Sequence, residues 1–287
     1  MDIKQMMKRH GIRPKKRLGQ HFLIDETPIF KMIDAAELNK NDTVLEIGPG
    51  LGVMTRHLCE KAGRVFAVEK DEKMIPILVE LTRDFKNVCI INGDVLKLNL
   101  DNIKHKTTDK YLKVVANLPY YITSPIIMNI IQNRNLFNVA VLMVQKEVGD
   151  RIVALPGGKE YGILSIAVQL YCDVNIICPV GKMSFMPPPK VDSSVIKLEI
   201  RKEPKVLLED ESLFFAVVKA AFGERRKIIK NTLKNRLKVK GIQSDDIERA
   251  LENARIHPGR RAETLSLTEF ARITMQLASL NNIDKRS

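Results

Sequence analysis

Short apolar runs alternate with amphipathic stretches between about residue 42 and residue 200. The apolar runs are brief and rich in β-branched residues, which is typical of buried strands. They predict seven strands, at Thr43–Ile47, Arg64–Val68, Val88–Ile91, Lys113–Ala116, Val139–Val144, Val174–Val180 and Ser194–Ile200. Helical spacing of apolar residues predicts helices between the early strands, at Gly52–Ala62 and Lys73–Thr82. This alternation predicts an α/β fold with a parallel, doubly wound, Rossmann-like sheet.

The pattern changes at Lys202-Glu203-Pro204, which is typical of a linker, and no strand pattern follows it. Apolar residues at i, i+3 and i+4 predict four helices there, at Leu213–Phe222, Arg225–Lys238, Asp245–Arg255 and Thr268–Leu280. Before the sheet, Thr27 and Pro28 predict a helix over residues 28–37, with Thr27 as its N-cap. The chain is therefore expected to divide into an α/β domain, residues 1–202, and a small all-helical domain, residues 203–287.

Positive charge is concentrated in two segments of a chain whose net charge is +13. Residues 1–20 form a basic N-terminal arm of net charge +6, and residues 219–240 carry +8, so the remainder is almost neutral. Charge clustered in this way is typical of a surface that binds a polyanion such as RNA. Two solvated basic faces are the alternative interpretation.

Membrane, secretion and metal signals are all weak in this sequence. No apolar run approaches the roughly 20 residues of a membrane span, and the N-terminus lacks the apolar core of a secretory signal. The four cysteines form no C-x-x-C pair, so we expect reduced thiols and no metal site. These features predict a cytoplasmic protein without a membrane partner, and we expect a monomer.

A glycine-rich turn follows the first predicted strand, with glycines at 48, 50 and 52 and Glu46 just before them. The spacing is G-x-G-x-G, whereas a dinucleotide site that holds a pyrophosphate has G-x-G-x-x-G. A carboxylate beside the turn repels a pyrophosphate but suits a ligand with an ammonium group. S-adenosylmethionine has an ammonium and a sulfonium and no phosphate. A purely structural turn is the alternative reading of this segment.

Acidic residues also end the next two predicted strands, at Glu69 and Asp94. Open α/β sheets bind ligands at the carboxyl ends of their strands. An acid in the position of Glu69 can accept from both ribose hydroxyls of a nucleoside, and Asp94 can accept from the adenine amino group. Together with the glycine turn, these acids predict S-adenosylmethionine rather than NAD as the cofactor.

The fourth predicted strand leads directly into Asn117-Leu118-Pro119-Tyr120. The functional interpretation of this turn is a site that activates the exocyclic amino group of adenine, N6, for methyl transfer. The N6 lone pair is delocalised into the ring, so N6 is a poor nucleophile. Acceptors aimed at its two protons, the Asn117 side-chain oxygen and the Leu118 carbonyl, favour a tetrahedral nitrogen through preorganised electrostatics. Tyr120 offers a face on which an extruded base can stack, and Phe185 is expected to close that base from the other side. A plain Asn-Leu-Pro turn is the alternative.

Five motifs follow one another along the chain in an order that resembles one known family. They are Gly19-Gln20-His21-Phe22-Leu23, Glu46-Ile47-Gly48-Pro49-Gly50, Asn117-Leu118-Pro119-Tyr120-Tyr121, Phe185-Met186-Pro187-Pro188-Pro189-Lys190-Val191-Asp192-Ser193 and Arg260-Arg261-Ala262-Glu263-Thr264-Leu265. The family is the ribosomal RNA adenine dimethyltransferases, and the resemblance covers nearly the whole chain. It is greatest for the branch that dimethylates two adjacent adenosines in a hairpin loop near the 3′ end of 16S rRNA in the small ribosomal subunit.

The resemblance implies further site residues. His21 and Leu23 would line the S-adenosylmethionine pocket beside Gly48, Gly50, Glu69, Asp94 and Asn117, although many relatives have Asn in place of His21. The helical C-terminal domain would dock RNA. The implied RNA-binding residues are Arg225, Arg226, Lys227, Lys230 and Lys234.

Three other functions stay open at this point. The erythromycin-resistance branch methylates an adenosine of large-subunit rRNA, and its members resemble Asn-Ile-Pro-Tyr followed by Asn, whereas this chain has Leu118 and Tyr121. A non-catalytic RNA-binding protein of ribosome assembly is possible on the same fold, because a fold alone does not prove chemistry. A nicotinamide-dependent oxidoreductase is disfavoured by the glycine spacing.

Overall fold

The computed structural model describes residues 3–15, 18–237 and 242–284. Contacts divide the chain into two compact units, one of Met1–Gly149 with Cys172–Lys202 and one of Asp150–Tyr171 with Glu203–Ser287. The strands are β1 (Phe22–Leu23), β2 (Thr43–Ile47), β3 (Arg64–Glu69), β4 (Val88–Asn92), β5 (Leu112–Asn117), β6 (Phe137–Gln145), β7 (Cys172–Val180), β8 (Phe185–Met186) and β9 (Ser193–Ile200).

The first unit is built on a seven-stranded sheet with the order β4-β3-β2-β5-β6-β9-β7. The α/β class and the seven strands predicted from the sequence are confirmed, with strand ends that agree within two residues. The expectation of a parallel sheet is wrong for one strand, because β9 runs antiparallel to both of its neighbours, β6 and β7. Only a short 3-10 helix, Lys182–Ser184, and the strand β8 lie between β7 and β9. Without a crossover α-helix the chain turns back, and the two strands pair antiparallel.

Helices lie before and between these strands. In chain order they are α1 (Ile3–Arg9), α2 (Thr27–Ala36), α3 (Val53–Lys61), α4 (Ile75–Thr82), α5 (Asp101–Lys104), α6 (Thr123–Gln132), α7 (Lys146–Val153) and α8 (Ile163–Tyr171). The predicted N-cap of α2 is wrong by one position, since Thr27 is already helical and Glu26 precedes it. The Asp25 carboxylate accepts from the Thr27 amide at 2.9 Å and so provides the local cap.

The central strands are buried along their length, which is why their apolar runs were continuous rather than alternating. All five residues of β2 are buried, and so are five of the six in β3. Because β2, β3, β4 and β5 are parallel neighbours, their carboxyl ends meet at one edge of the sheet. A separate two-stranded sheet pairs β1 with β8. These two-residue strands are too short to show a period in the sequence.

The second unit is helical, with α9 (Glu211–Ala221), α10 (Ile229–Leu237), α11 (Ser244–Asn253) and α12 (Leu267–Asp284) after α8. Residues 150–171 group with it by contact, whereas the sequence placed them in the domain 1–202. Two backbone hydrogen bonds hold this segment, from the Gly157 amide to Glu263 (2.6 Å) and from the Lys205 amide to Leu170 (2.8 Å). The division into functional domains at 202 and 203 stays a prediction.

The four cysteines are free thiols, and all except Cys89 are buried. Within the described ranges, no helix is both long and apolar enough to cross a membrane.

Candidate active site

A cavity lies in the first unit where the central strands end. It collects residues from the carboxyl ends of β2 to β5, from the segment around β1 and from the turn after β5. Ten of the eleven residues predicted for the cofactor or the chemistry line it: His21, Leu23, Gly48, Gly50, Glu69, Asp94, Asn117, Leu118, Pro119 and Tyr120. The sequence-based roles of these residues stay predictions, but the fold does bring them to one place.

The glycine turn crosses this edge of the sheet in a backbone shape that L side chains rarely adopt. Gly50 has φ +56° and Gly52 has φ +82°. A Cβ on Gly52 would stand 2.9 Å from a methyl of Leu78, and Gly52 is also the N-cap of α3. Glycine is therefore required where the turn passes into the helix.

The Glu69 carboxylate is held in place by two backbone amides. Its Oε2 accepts from the Gly50 amide at 3.0 Å and its Oε1 accepts from the Asp71 amide at 2.6 Å. Burial raises the pKa of the Glu69 carboxyl, against the lowering effect of these two hydrogen bonds. Each carboxylate oxygen keeps a second lone pair for a ligand, so Glu69 is a preorganised acceptor at the end of β3.

Asp71, which the sequence reasoning missed, connects the N-terminal segment to the same strand end. Its buried carboxylate accepts from Lys15 Nζ at 2.6 Å and from Gln20 Nε2 at 2.8 Å. The Gln20 side-chain oxygen in turn accepts from the Lys15 amide at 2.8 Å. This network fixes the segment that carries His21 against the loop after β3. In the sequence, the one indication that Asp71 belongs to this site is its position two residues after Glu69, the acid that ends β3.

Glu46 is completely buried in β2, and among the residues that the structure describes neither of its carboxylate oxygens has a partner in hydrogen-bond geometry. Burial raises the pKa of this carboxyl to about 8, and the negative charge of Glu69 adds to the increase. The nearby Thr55 hydroxyl has a lowering effect on the pKa of this carboxyl, which burial outweighs. Glu46 also borders the cavity. An ionised carboxylate that is buried without a partner destabilises the folded state, so this group is expected to be neutral unless a cation lies beside it.

We expect the variant Glu46→Gln to be more stable than the wild type at pH 8, by on the order of 1–3 kcal/mol. A pKa raised from 4.5 to about 8 means that the folded chain keeps a proton that the unfolded chain has released. Stability of the wild type therefore falls as pH rises through that window, whereas glutamine stays neutral. Urea unfolding near pH 5 and pH 8 measures the effect, and an advantage of equal size at both pH values would contradict it.

The turn Asn117 to Tyr120 is set by β5 and the backbone that follows it. Asn117 is the last residue of β5, and the Leu118 amide donates to the Met143 carbonyl at 3.1 Å. The Asn117 side chain lines the cavity and has no hydrogen-bond partner among the described residues. Its amide group is therefore available to a ligand in the cavity.

Tyr120 is held from two sides. Its hydroxyl shares a 2.6 Å hydrogen bond with Ser193 Oγ, and burial raises the pKa of the phenol. The His21 ring stacks on it with 5.6 Å between centroids and 26° between planes. His21 Nδ1 donates to the Pro187 carbonyl at 2.7 Å, which fixes the orientation of the imidazole. The aromatic surface is thus rigid before any base arrives.

Phe185 departs from its predicted place. Its side chain is only 2% exposed, belongs to the hydrophobic core and does not line the cavity. It pairs with Leu23 between β8 and β1. This placement does not support the expectation that Phe185 closes a base from the second side, because the residue supports the wall that carries Leu23 instead.

Among the predicted RNA-binding residues, Arg225 has a structural role within the second unit. Its Nη2 donates to the backbone oxygens of Lys159 at 2.6 Å and Tyr161 at 3.3 Å. The side chain is exposed, but its position is fixed by these carbonyls.

The other four basic residues fall into two pairs. Lys230 and Lys234 of α10 both form ion pairs with Glu248 of α11, and these lower the pKa of the Glu248 carboxyl to about 2. Arg226 and Lys227 are exposed, and within the described residues their side chains make no ion pair. Four further cations of the predicted basic segments, Lys16, Arg17, Lys238 and Lys240, lie outside the described residues.

The fold of this chain is similar to those of known solved structures. A dimethyladenosine transferase from Plasmodium falciparum superimposes with a TM-score of 0.77 and 30% identity, over 91% of this chain and 98% of that one. The 23S rRNA methyltransferase ErmE superimposes with a TM-score of 0.67 over 90% of this chain and 99% of its own, at 24% identity, which shows the shared fold alone.

The sequence is also similar to those of known proteins, and these relatives indicate the same family as the solved structure from Plasmodium falciparum. The chain is 43% identical over 276 residues to Ribosomal RNA small subunit methyltransferase A of Clostridium acetobutylicum, covering 96% of this chain and 98% of the relative. It is 46% identical over 273 residues to the protein of the same name from Streptococcus thermophilus, covering 94% of each. The family model described as Ribosomal RNA adenine dimethylase matches residues 11–273. The resemblance predicted from five motifs is confirmed, and the chain belongs to the ribosomal RNA adenine dimethylase family.

Proposed function

We propose that this chain transfers methyl groups from S-adenosylmethionine to N6 of two adjacent adenosines in a hairpin loop near the 3′ end of 16S rRNA, giving dimethyladenosine during ribosome biogenesis. The observation that carries the proposal is the convergence of Glu69, Asp94 and the turn Asn117 to Tyr120 on one cavity. The names of the relatives, which act on the small subunit, support the choice of substrate.

The residues of the cavity suit S-adenosylmethionine. Glu69 presents two fixed acceptor oxygens for ribose hydroxyls, and Asp94 is an acceptor for an adenine amino group. Glu46 borders the cavity, and a cationic neighbour there would favour the ionised form of its carboxyl group. When bound, the cofactor supplies a methyl group on a cationic sulfur, whose departure needs no general acid.

The chain itself contributes positioning and electrostatics. The side-chain oxygen of Asn117 and the Leu118 carbonyl accept the two N6 protons of the target adenine and favour a nitrogen with a free lone pair. Tyr120 offers a rigid face for the flipped base, which is worth about 1–3 kcal/mol by stacking. Neither contribution moves a proton, and both are in place before the substrate arrives.

Two rival functions predict different products. An enzyme of the erythromycin-resistance type would modify large-subunit rRNA, and a non-catalytic assembly protein would modify neither subunit. Labelled S-adenosylmethionine is incubated with unmodified small and large subunits in separate reactions, and mass spectrometry identifies the modified nucleosides. Label in dimethyladenosine from the small subunit alone is expected. Label only in the large subunit, or none in either, would contradict the proposal.

We expect reversal of Arg226 and Lys227 to Glu to weaken RNA binding and flatten its dependence on salt. Both side chains are exposed and lack ion pairs in the described structure, so they are available to phosphates. Losing two phosphate contacts should lower the slope of log K against log salt by about 1.5–2. Arg225 is left in place because it anchors two carbonyls.

In the matched control variant, Arg249 and Arg272 are replaced by Glu. Both side chains are exposed, on α11 and α12, and their replacement changes the net charge by the same amount. Filter binding across a salt series compares both variants with the wild type, and calorimetry checks that cofactor affinity is unchanged. Equal losses in the two variants would mean that net charge matters and that this segment is not the docking surface.

A further inference from the structure

A lysine enters the cavity next to the acid that ends β3. Lys70 follows Glu69 directly, its side chain is half exposed, and it lines the same cavity. Its Nζ lies 2.8 Å from Asp94 Oδ2, on the loop after β4. The carboxylate proposed to read the cofactor's base is therefore already engaged by a cation from the neighbouring strand end.

The Asp94 carboxylate is fixed at both oxygens, since Oδ1 accepts from the Leu96 amide at 3.1 Å. The hydrogen bond from Lys70 is the largest of the effects that lower the pKa of Asp94, and the exposed Lys97 adds a smaller electrostatic effect. The same pair raises the pKa of Lys70, to which Tyr121 across the cavity adds slightly. Lys97 and Tyr121 are the other titratable groups that act electrostatically on the pair, and Glu69 lines the cavity beside it.

An ionised carboxylate only accepts hydrogen bonds, whereas a protonated one can also donate. Adenine presents an amino donor at position 6, and hypoxanthine presents a carbonyl acceptor there. A carboxylate kept ionised and fixed in direction therefore distinguishes the two bases, and a looser or protonated one does so less.

We propose that Lys70 is a positioning residue that holds Asp94 as an acceptor-only carboxylate and thereby sets the specificity of the cofactor site for adenine. The inference rests on the proposed cofactor site. The competing view is that the contact is an ordinary surface ion pair, which contributes little to stability and nothing to specificity.

The test compares two ligands without net charge whose bases differ along one edge, S-adenosylhomocysteine and S-inosylhomocysteine. Adenine has an amino donor at position 6 and an acceptor at N1, whereas hypoxanthine has a carbonyl acceptor at position 6 and an N–H donor at N1. Calorimetry measures their affinities between about pH 3 and pH 8, a range that includes the ordinary pKa of an aspartate, for the wild type and four variants, Lys70→Met, Lys70→Arg, Lys97→Met and Asp94→Asn. The ratio of the two affinities reports on the groups that contact this edge of the base, and Asp94→Asn identifies the part of the ratio that belongs to Asp94. Circular dichroism checks the fold of each variant.

We expect Lys70→Met to lower the preference for the adenosyl ligand by about 3- to 10-fold near neutral pH. Its preference should also decline at a higher pH than that of the wild type, because the pKa of Asp94 is no longer held down. Lys70→Arg keeps the ion pair and should restore the wild-type profile. Lys97→Met should resemble the wild type, and Asp94→Asn should show a low preference at every pH.

Three outcomes would overturn the inference. An unchanged ratio and pH profile in Lys70→Met would reduce the pair to a surface contact. An equal loss of affinity for both ligands would assign Lys70 a general effect on the cavity instead of on the base. A wild type that binds neither ligand would remove the proposed cofactor site and this inference together, which distinguishes that failure from the first two.

Discussion

Replacing Asn117 with alanine is expected to slow methyl transfer by about 10²–10³-fold while RNA binding stays nearly unchanged. The side chain ends β5, lines the cavity and has no hydrogen-bond partner among the described residues, so its loss leaves no protein group unpaired. What is removed is the proposed acceptor for an N6 proton of the target base. Single-turnover methylation at saturating cofactor and RNA measures the effect and excludes a loss of cofactor affinity as its cause.

Tyr120 provides the matched control for this experiment. Tyr120→Phe keeps the ring and loses only the hydrogen bond with Ser193, so a mild effect is expected, whereas Tyr120→Ala also removes the stacking face. A near-wild-type rate for Asn117→Ala would show that other groups position N6. The proposed mechanism would then be wrong, although the family would stand.

The second large effect concerns the cofactor. We expect Glu69→Ala to weaken S-adenosylmethionine binding by about 1.5–3 kcal/mol, the scale of a hydrogen bond to a charged group. The variant also leaves the Gly50 and Asp71 amides without their acceptor, so the cavity edge loosens as well. Calorimetry gives the affinity, and circular dichroism verifies the fold.

Glu69→Gln separates these two contributions. It keeps one oxygen for an amide and loses the charge, so its affinity should lie between those of the wild type and Glu69→Ala. Wild-type affinity in a folded Glu69→Ala protein would remove this residue from the cofactor site.

The central strands β2, β3 and β5 were predictable because they are buried almost along their whole length and therefore appear as continuous apolar runs. The direction of β9 was not, because the pattern of residues within a strand does not state which way its neighbour runs. The helix α10 begins at Ile229, four residues later than predicted, since the sequence from Arg225 onward fits a helical period but forms turns.

The proximity of Glu69, Asp94 and Asn117 in the candidate site could be predicted from their positions at strand ends, because parallel strands end at the same edge of the sheet. Contacts between segments that are distant in the sequence could not be predicted. Lys15 meets Asp71 across 56 positions, and Lys70 meets Asp94 between two loops, with no local pattern to signal either. The burial of Phe185 in the core was not predictable either, because an aromatic residue close to a proline run fits a loop and a core strand equally well.

The pairing of β1 with β8 has a consequence for the growing chain on the ribosome. His21 and Pro187, which flank these strands, are 166 positions apart, so the wall of the cavity that they share cannot close until most of the polypeptide has been synthesised. Until then the early strands can assemble, because β2, β3 and β4 pair with near neighbours in sequence. A nascent chain can therefore pair its first three large strands well before this wall of the cavity can close.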